Sequence, residues 1–242
     1  LAYVEHYLEA HHSPDLCHVQ HELVKAVSGP LGTKERAAHK AVTEAREQLE
    51  HVQTGPQSAG DEPETHRPSR PPKAAVSLEQ AEQVLEAASR EHERLAQQRQ
   101  QIKAHIRGIG HDYHFVDLER GVRRNGQLIA SDIQGHIEHI RTIAQHEGLS
   151  QSCVERIEKA ERVVPKMRAT IEFVSGYVRH QVAQLDVTPP VSFAMHAKLI
   201  PSYYLDRIAQ TRTVHDGEPL RALAERLRIA GVVRRGPLRF EL

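Results

Sequence analysis

The chain has 242 residues, and its 32 lysines and arginines balance its 32 aspartates and glutamates, so that the formal net charge is zero. A nucleic-acid partner therefore has to be recognised by a local basic surface, because the overall charge offers no general attraction. Aromatic residues make up only 4% of the chain and tryptophan is absent, which argues against a large aromatic platform for stacking single strands.

The cysteines and the lack of long apolar runs indicate the cellular compartment. The two cysteines, Cys17 and Cys153, are far apart and follow no paired spacing, which is typical of a reducing compartment without disulfides. No apolar run approaches the roughly 18 residues that a membrane span needs, and no secretory signal pattern opens the chain. We therefore expect a cytoplasmic protein with no membrane partner and, since no substrate motif is present, no small-molecule substrate.

Residues 1–27 predict a fragment of an α/β fold: a short helix over AYVEHYLEA, a strand over 15–20, and the start of another helix. Asp15 and His18 would point to opposite faces of that strand, because side chains alternate along it. They would then be a poor acid–base pair with each other, and two hydrogen-bonded polar residues on an edge strand are the alternative. A lone strand leaves backbone groups unpaired, so this segment is expected to be poorly ordered or to pair with another chain.

Residues 28–107 predict a long antiparallel helical hairpin. The first helix has apolar residues spaced by three and four, at Ala38, Val42, Ala45, Leu49 and Val52. A proline-rich loop over 54–76 has little to bury and is expected to be disordered. Ser77 then caps a second helix, whose heptad seam holds Leu78, Ala81, Leu85, Ala88, His92, Leu95, Arg99, Ile102 and Ile106. Such seams form coiled coils, within one chain or between protomers of a homo-oligomer, and also occur in ordinary bundles.

Residues 108–230 predict a second helical domain. Its first part, 108–130, breaks the helical period and contains the turn signal Asn125-Gly126. From Ser131, interpreted as an N-cap, the pattern is helical to about residue 230, and Gly148 is expected to end the first helix. Residues 231–242 are interpreted as an irregular tail. The expected fold class is mainly α, a hairpin plus a bundle, with the N-terminal strand as a residual α/β fragment.

The segment 142–157, TIAQHEGLSQSCVERI, has the spacing of a helix-turn-helix. Small and apolar residues stand where two helices pack around a turn glycine, namely Ile143, Ala144, Gly148, Leu149, Val154 and Ile157. In the DNA-binding interpretation, the major groove is contacted by Gln151, Ser152, Glu155 and Arg156. An ordinary corner between two bundle helices is the alternative, since Glu155, Glu158 and Glu161 would repel phosphates.

Two basic clusters are candidate phosphate contacts. Arg120, Arg123 and Arg124 lie in the turn-rich segment, and a helical cluster holds Arg156, Lys159, Arg162, Lys166 and Arg168. A solvated face of mixed charge is the alternative, because acidic residues are interspersed. The 18 histidines include pairs three residues apart, His18/His21, His111/His114 and His136/His139. No cysteine pair accompanies them, so no metal site is predicted.

Several longer stretches resemble one known family. The chain has a helical segment followed by PDLCHVQHELVKA, with Asp15-Leu16-Cys17-His18 inside it. Further similar stretches are HDYHFVDLERG at 111–121, the block 148–179, and AMHAKLIPSYYLDRIAQTRT at 194–213. Together they resemble the interior helical region of a group of bacterial DDE-type transposases, which have an RNase H-like catalytic core. The resemblance covers residues 1 to about 229, and on it residues 1–27 are a remnant of that core.

The resemblance implies a role in DNA transposition. Such enzymes need three acidic residues that hold divalent metal ions such as Mg²⁺ for strand cleavage and transfer. By analogy, the second acid falls before residue 1 and the third after residue 242, so this segment is expected to bind no cofactor and not to cleave DNA. It would supply a helical insertion that contacts DNA or a second protomer. The alternatives are a stand-alone helix-turn-helix DNA-binding protein and a coiled-coil interaction module.

Overall fold

A computed structural model describes residues 16–54 and 77–233, which are almost entirely helical. Its elements in chain order are α1 (Leu16–Leu23), a π-helical stretch (Val24–Ser28), α2 (Gly29–Gln53), α3 (Leu78–Asp112), α4 (Gly126–His146), α5 (Gln151–Glu161), α6 (Val164–Ala183), α7 (Pro189–Ala194), a second π-helical stretch (Met195–Leu199), α8 (Ile200–Gln210) and α9 (Val214–Val233). The mainly α fold class is confirmed.

The chain divides into two compact units. Of the described residues, the hairpin unit comprises those between Val27 and Lys103, and the bundle unit comprises 16–26 together with 104–233. The predicted helix AYVEHYLEA, Asp15, nearly all of the proline-rich loop and most of the predicted tail lie outside the described residues. In the part of the chain that is described, no helix is long and apolar enough to cross a membrane.

The predicted strand over 15–20 is wrong for every described residue in it, because Leu16–Leu23 is helix α1. Val19, Leu23 and Ala26 are buried, and their spacing of four and three forms one helical stripe, which a strand would divide between two faces. Gln20 Nε2 also donates a hydrogen bond to the Ile106 carbonyl oxygen at 2.8 Å. Residues 16–25 are therefore held by helical packing and need no strand partner.

The hairpin unit is built from α2 and the part of α3 that ends at Lys103. Helix α3 begins with a capping box, in which Ser77 Oγ accepts from Gln80 N at 3.2 Å and Gln80 Oε1 accepts from Ser77 N at 3.1 Å. The two helices run antiparallel, since Glu35 pairs with Arg99 while the His39 and His92 ring centroids lie 5.1 Å apart. Of the predicted seam, only Leu78 lies open, at 45% exposure.

The bundle unit is organised around α4. Asn125 caps this helix by accepting a hydrogen bond from Leu128 N at 2.7 Å, so the predicted N-cap at Ser131 is wrong and the cap lies six residues earlier. The Asn-Gly pair thus starts a helix instead of making a free turn. One side of α4 buries a stripe at helical spacing, Ile129, Ile133, Ile137, Ile140 and Ala144. Helix α6 packs along α4 and buries Val164, Met167 and Ile171.

A second apolar cluster joins the turn-rich segment to α8 and α9. Phe115 and Tyr204 pack against the edge of this cluster, whose buried members are Val116, Leu118, Leu205, Ala209, Leu220, Leu223, Ala224 and Leu227. Val116 and Leu118 thereby fix the segment between α3 and α4 over two later helices. This placement decides where the arginines of that segment point.

Candidate nucleic-acid interface

The predicted helix-turn-helix spacing produces a well-defined corner between α4 and α5. Gly148 has φ +57°, its N–H donates to Gln145 O at 2.9 Å, and Leu149 N donates to Ala144 O at 2.9 Å. This pair of bonds is a Schellman motif, which requires a left-handed residue that glycine supplies without strain. Ala144 and Ile157 are fully buried inside the corner. The same packing occurs in ordinary corners between helices. Whether this corner binds DNA therefore depends on the side chains on the outer surface of α5.

Helix α5 turns its apolar residues inward and its predicted DNA contacts outward. Cys153, Ile157 and Ala160 are buried. The exposed side chains are Gln151, Ser152, Glu155, Arg156, Glu158 and Lys159. Because acidic and basic side chains share this surface, phosphate contact depends on which basic side chains already form ion pairs with acidic ones.

Helix α1 packs against α5 and brings an acid to its basic residues. Arg156 Nη1 lies 3.1 Å from Glu22 Oε2, whose side chain is only 12% exposed. Burial tends to raise the pKa of Glu22, but the charges of Lys159, Arg156, Lys25 and His18 together outweigh it and hold the pKa below its usual value. Glu22 therefore competes with any phosphate for the cationic part of this surface.

The turn-rich segment folds as a tight loop that separates its three arginines. Asp117 Oδ1 accepts hydrogen bonds from Glu119 N at 2.9 Å and Arg120 N at 2.8 Å. Gly121 follows with φ +66°, and a Cβ there would come within 2.5 Å of Leu227 Cδ1. The loop leaves Arg120 exposed and turns the next two arginines toward the bundle.

Arg124 lies in an internal ion-pair network. Its side chain is 10% exposed and contacts the Asp112 carboxylate at 3.2 Å and the Asp112 carbonyl oxygen at 3.1 Å. It also pairs with Asp132. Two carboxylates thus compensate its charge, and the structure places this predicted DNA contact where it joins α3 to α4.

A chain of histidines continues from that network. Asp112 Oδ2 lies 3.0 Å from His136 Nε2, and His136 Nδ1 lies 3.0 Å from His105 Nδ1. Burial by itself would raise the pKa of Asp112. Its hydrogen bond to His136 and the charge of Arg124 lower the pKa by more, so that the net pKa is below the usual value. Burial, then His136 and His139, lowers the pKa of His105. Among residues 16–54 and 77–233, no three histidine, cysteine or acidic side chains converge as metal ligands.

Arg123 has polar but uncharged partners. Its Nη2 donates to Ser175 Oγ at 2.6 Å, and its Nη1 donates to His196 Nδ1 at 3.0 Å. Burial, followed by the charge of Arg179, lowers the pKa of Arg123. Burial, followed by Arg123 and Arg179, lowers the pKa of His196. Arg123 thus bonds to Ser175 and His196, and the charge of Arg179 acts on both Arg123 and His196.

The remaining predicted site residues do not join these groups. Of the family-like motif residues, which do not form a complete catalytic site, Asp15 lies outside the described part of the chain, and His18 is exposed on α1. Sequence reasoning missed Ser175, Arg179 and His196. The spacing of Ser175 and Arg179 is a weak signal, because residues four apart share a helix face. Nothing in the sequence pairs that face with Arg123, which is 52 residues from Ser175.

Comparison of the chain with models of known protein families, with curated proteins and with solved structures gives no match. The geometry of the described residues is therefore the basis for the functional proposals that follow.

Proposed function

We propose that this chain is the helical insertion region of a DNA transposase and that it binds duplex DNA through the outer surface of α5. The observation that carries the proposal is the exposure of Gln151, Ser152, Arg156 and Lys159 on a helix held by the Schellman corner. The resemblance to DDE-type transposases supplies the biological setting. The proposal concerns DNA contact and includes no strand cleavage.

The charges on α5 predict modest binding. Arg156 and Lys159 can each neutralise one phosphate, and each such contact contributes a slope of about −0.9 to the dependence of log affinity on log salt. Glu22 opposes this, because it holds Arg156 at 3.1 Å and must yield before that arginine turns fully to a phosphate. Gln151 and Ser152 are neutral and would contact base edges or backbone without a charge cost.

The test is fluorescence anisotropy of a labelled 20-base-pair duplex of mixed sequence, titrated with the full chain at several salt concentrations. Removing both basic side chains, with Arg156→Ala and Lys159→Ala, should weaken binding and reduce the salt slope by about 2. Arg226→Ala is the matched control, since Arg226 is an exposed arginine on α9. It should change the affinity less than twofold.

A second variant separates binding by α5 from general attraction. Glu22→Gln removes the competing carboxylate while keeping its shape, and we expect it to tighten DNA binding. Equal affinities for wild type, the double variant and Glu22→Gln would contradict the use of α5. Absence of duplex binding at low salt would contradict the proposed function as a whole.

A further inference from the structure

We infer that His105 and His136 form a pH-sensitive link between the end of α3 and α4. One proton between their Nδ1 atoms joins the two helices, and the bond breaks when both rings are charged. Both residues belong to the bundle unit. The inference goes beyond the proposed function, because it concerns a response to pH and requires no DNA.

Hydrogen-bond directions fix the tautomers of the two neutral rings. The pKa of Asp112 lies below its usual value, so its carboxylate is ionised at neutral pH and only accepts. His136 Nε2, 3.0 Å from Asp112 Oδ2, therefore carries a proton and donates it. The Nδ1 of a neutral His136 then has no proton and must accept. His105 Nδ1, 3.0 Å away, is the donor, so His105 holds its proton on Nδ1.

The bond between the two rings persists with one additional proton but not with two. If one ring is charged, that ring donates from Nδ1 and the neutral ring accepts. If both rings are charged, two N–H groups face each other and neither can accept. His136 keeps its carboxylate partner in that state. The groups that act on His105 are His136 and His139, which have like charge when protonated. The second proton should therefore displace His105.

The surroundings of His105 oppose the second proton in the folded chain. The His139 ring stacks on the His105 ring, with centroids 4.8 Å apart. Burial, then the charges of His136 and His139, lowers the pKa of His105 below its usual value of about 6.5. Acid below that pH thus favours forms in which the bond is broken. The other titratable or charged groups joined to the pair through Asp112 are His111, Arg124 and, through Arg124, Asp132.

Gly108 provides a way to break the link without changing a titratable group. A Cβ at this position would come within 2.4 Å of His136 Cε1 and 2.5 Å of His136 Nε2, so Gly108→Ala should push the ring away from Asp112 and His105. The fold should persist, because the end of a side chain moves easily and alanine favours a helix more than glycine does. Gly135→Ala on α4 is the matched control, since a Cβ there meets no described atom within 4 Å.

The test is long-range ¹H–¹⁵N NMR of the full chain, which reports the protonation of each imidazole nitrogen as the pH is lowered from 8 to 4.5. His105→Gln and His136→Gln assign the two rings. We expect His105 to carry its proton on Nδ1 at pH 8 and His136 to carry it on Nε2. The pair should take up two protons in steps about one pH unit or more apart. Gly135→Ala should behave like wild type, whereas Gly108→Ala should shift His105 toward the Nε2 tautomer.

Hydrogen exchange measures the effect on the end of α3. At pH 8 the amides of residues 104–112 should exchange about fivefold faster in Gly108→Ala than in Gly135→Ala, which corresponds to the loss of one hydrogen bond. The ratio should approach one below the second protonation step, because the bond is then broken in both variants. A ratio that does not change with pH would overturn the inference. So would a His105 proton on Nε2 at pH 8, or uptake of both protons in one step.

Discussion

The two units of the molecule use helices in different ways. In the hairpin unit the described buried apolar side chains are few, namely Val27, Leu31, Ala45, Ala81, Leu95 and Ile102. In the bundle unit α4 alone buries four isoleucines, each fully enclosed or nearly so. The hairpin seam also includes polar pairs, Glu35 with Arg99 and His39 beside His92. In both units, residues spaced by three and four share one face of a helix. Only in the bundle unit is that face filled with large apolar side chains.

The difference teaches that helical periodicity and stability are separate properties. Periodicity states which residues share a face, whereas the free energy of packing follows the apolar area that leaves water, about 25 cal/mol per Å². Alanine at Ala45 and Ala81 buries little area, and an ion pair that water still reaches, such as Glu35–Arg99, contributes less than apolar packing. The bundle unit should therefore be the more stable of the two.

The largest expected effect comes from Ile137→Ala in the bundle unit. Ile137 is fully buried in the α4 stripe, so the variant should lose about 2–5 kcal/mol through lost burial and a residual cavity. Leu85→Ala is the matched change in the hairpin unit. Because Leu85 is half-buried, it should cost only about 1 kcal/mol. Hydrogen exchange in increasing urea, followed by mass spectrometry, measures each unit separately.

Two results would alter this comparison. A loss of more than 3 kcal/mol in Leu85→Ala would show that the seam is tighter than its exposure indicates. A loss that depends on protein concentration would show that Leu85 packs between protomers, as the homo-oligomer prediction requires. Sedimentation at two concentrations distinguishes these results, because only the second changes the mass of the particle.

Acid should affect the bundle unit through His114. Burial, reinforced by Arg212, His111 and Arg124, lowers the pKa of His114 from 6.5 to about 4, and its Nδ1 lies 2.6 Å from the Tyr204 hydroxyl. Between pH 6.5 and 4 the unfolded chain binds a proton at this site that the folded chain does not. Folding stability should therefore fall by about 2–3 kcal/mol as the pH falls through that window, and change little above it.

The matched variants isolate this titration. His114→Gln cannot take up the proton, so its stability at pH 4.5 and at pH 7 should differ less than that of wild type, as measured by urea unfolding at both values. His215→Gln changes an exposed histidine and should keep the wild-type difference. If His114→Gln loses as much folding stability between pH 7 and pH 4.5 as wild type does, the loss is caused by other groups.

The smallest effects should come from two helix caps. Asn125→Ala and Ser77→Ala each remove a side-chain acceptor at a helix start, a change that costs about 1 kcal/mol. Asn125→Ala should lower the unfolding free energy of the whole bundle unit, because α4 carries the isoleucine stripe. Ser77→Ala should speed amide exchange only in the first turns of α3. Equal and global effects of both variants would contradict the separation of the two units.

The sequence predicted the helical hairpin and the corner between α4 and α5 because both depend on local spacing. The seam from Ala81 to Ile106 and the glycine at position 148 are examples, since period and left-handed preference are properties of neighbouring residues. The strand over 15–20 failed for the opposite reason. A segment of only six residues, DLCHVQ, with three apolar and three polar side chains, fits either period, and the burial of Val19 with Leu23 and Ala26 decided for the helix.

Sequence alone therefore determined the helical class, the two long hairpin helices and the turn at Gly148, because these follow from backbone preference and from residues three or four apart. Only the tertiary structure decided the roles of the arginines. Arg123, Arg124 and Arg156 look alike in sequence, yet one faces Ser175 and His196, one is held by two carboxylates, and one pairs with Glu22. The electrostatic state of a side chain depends on groups far away in the chain, and folding alone brings them within hydrogen-bonding distance.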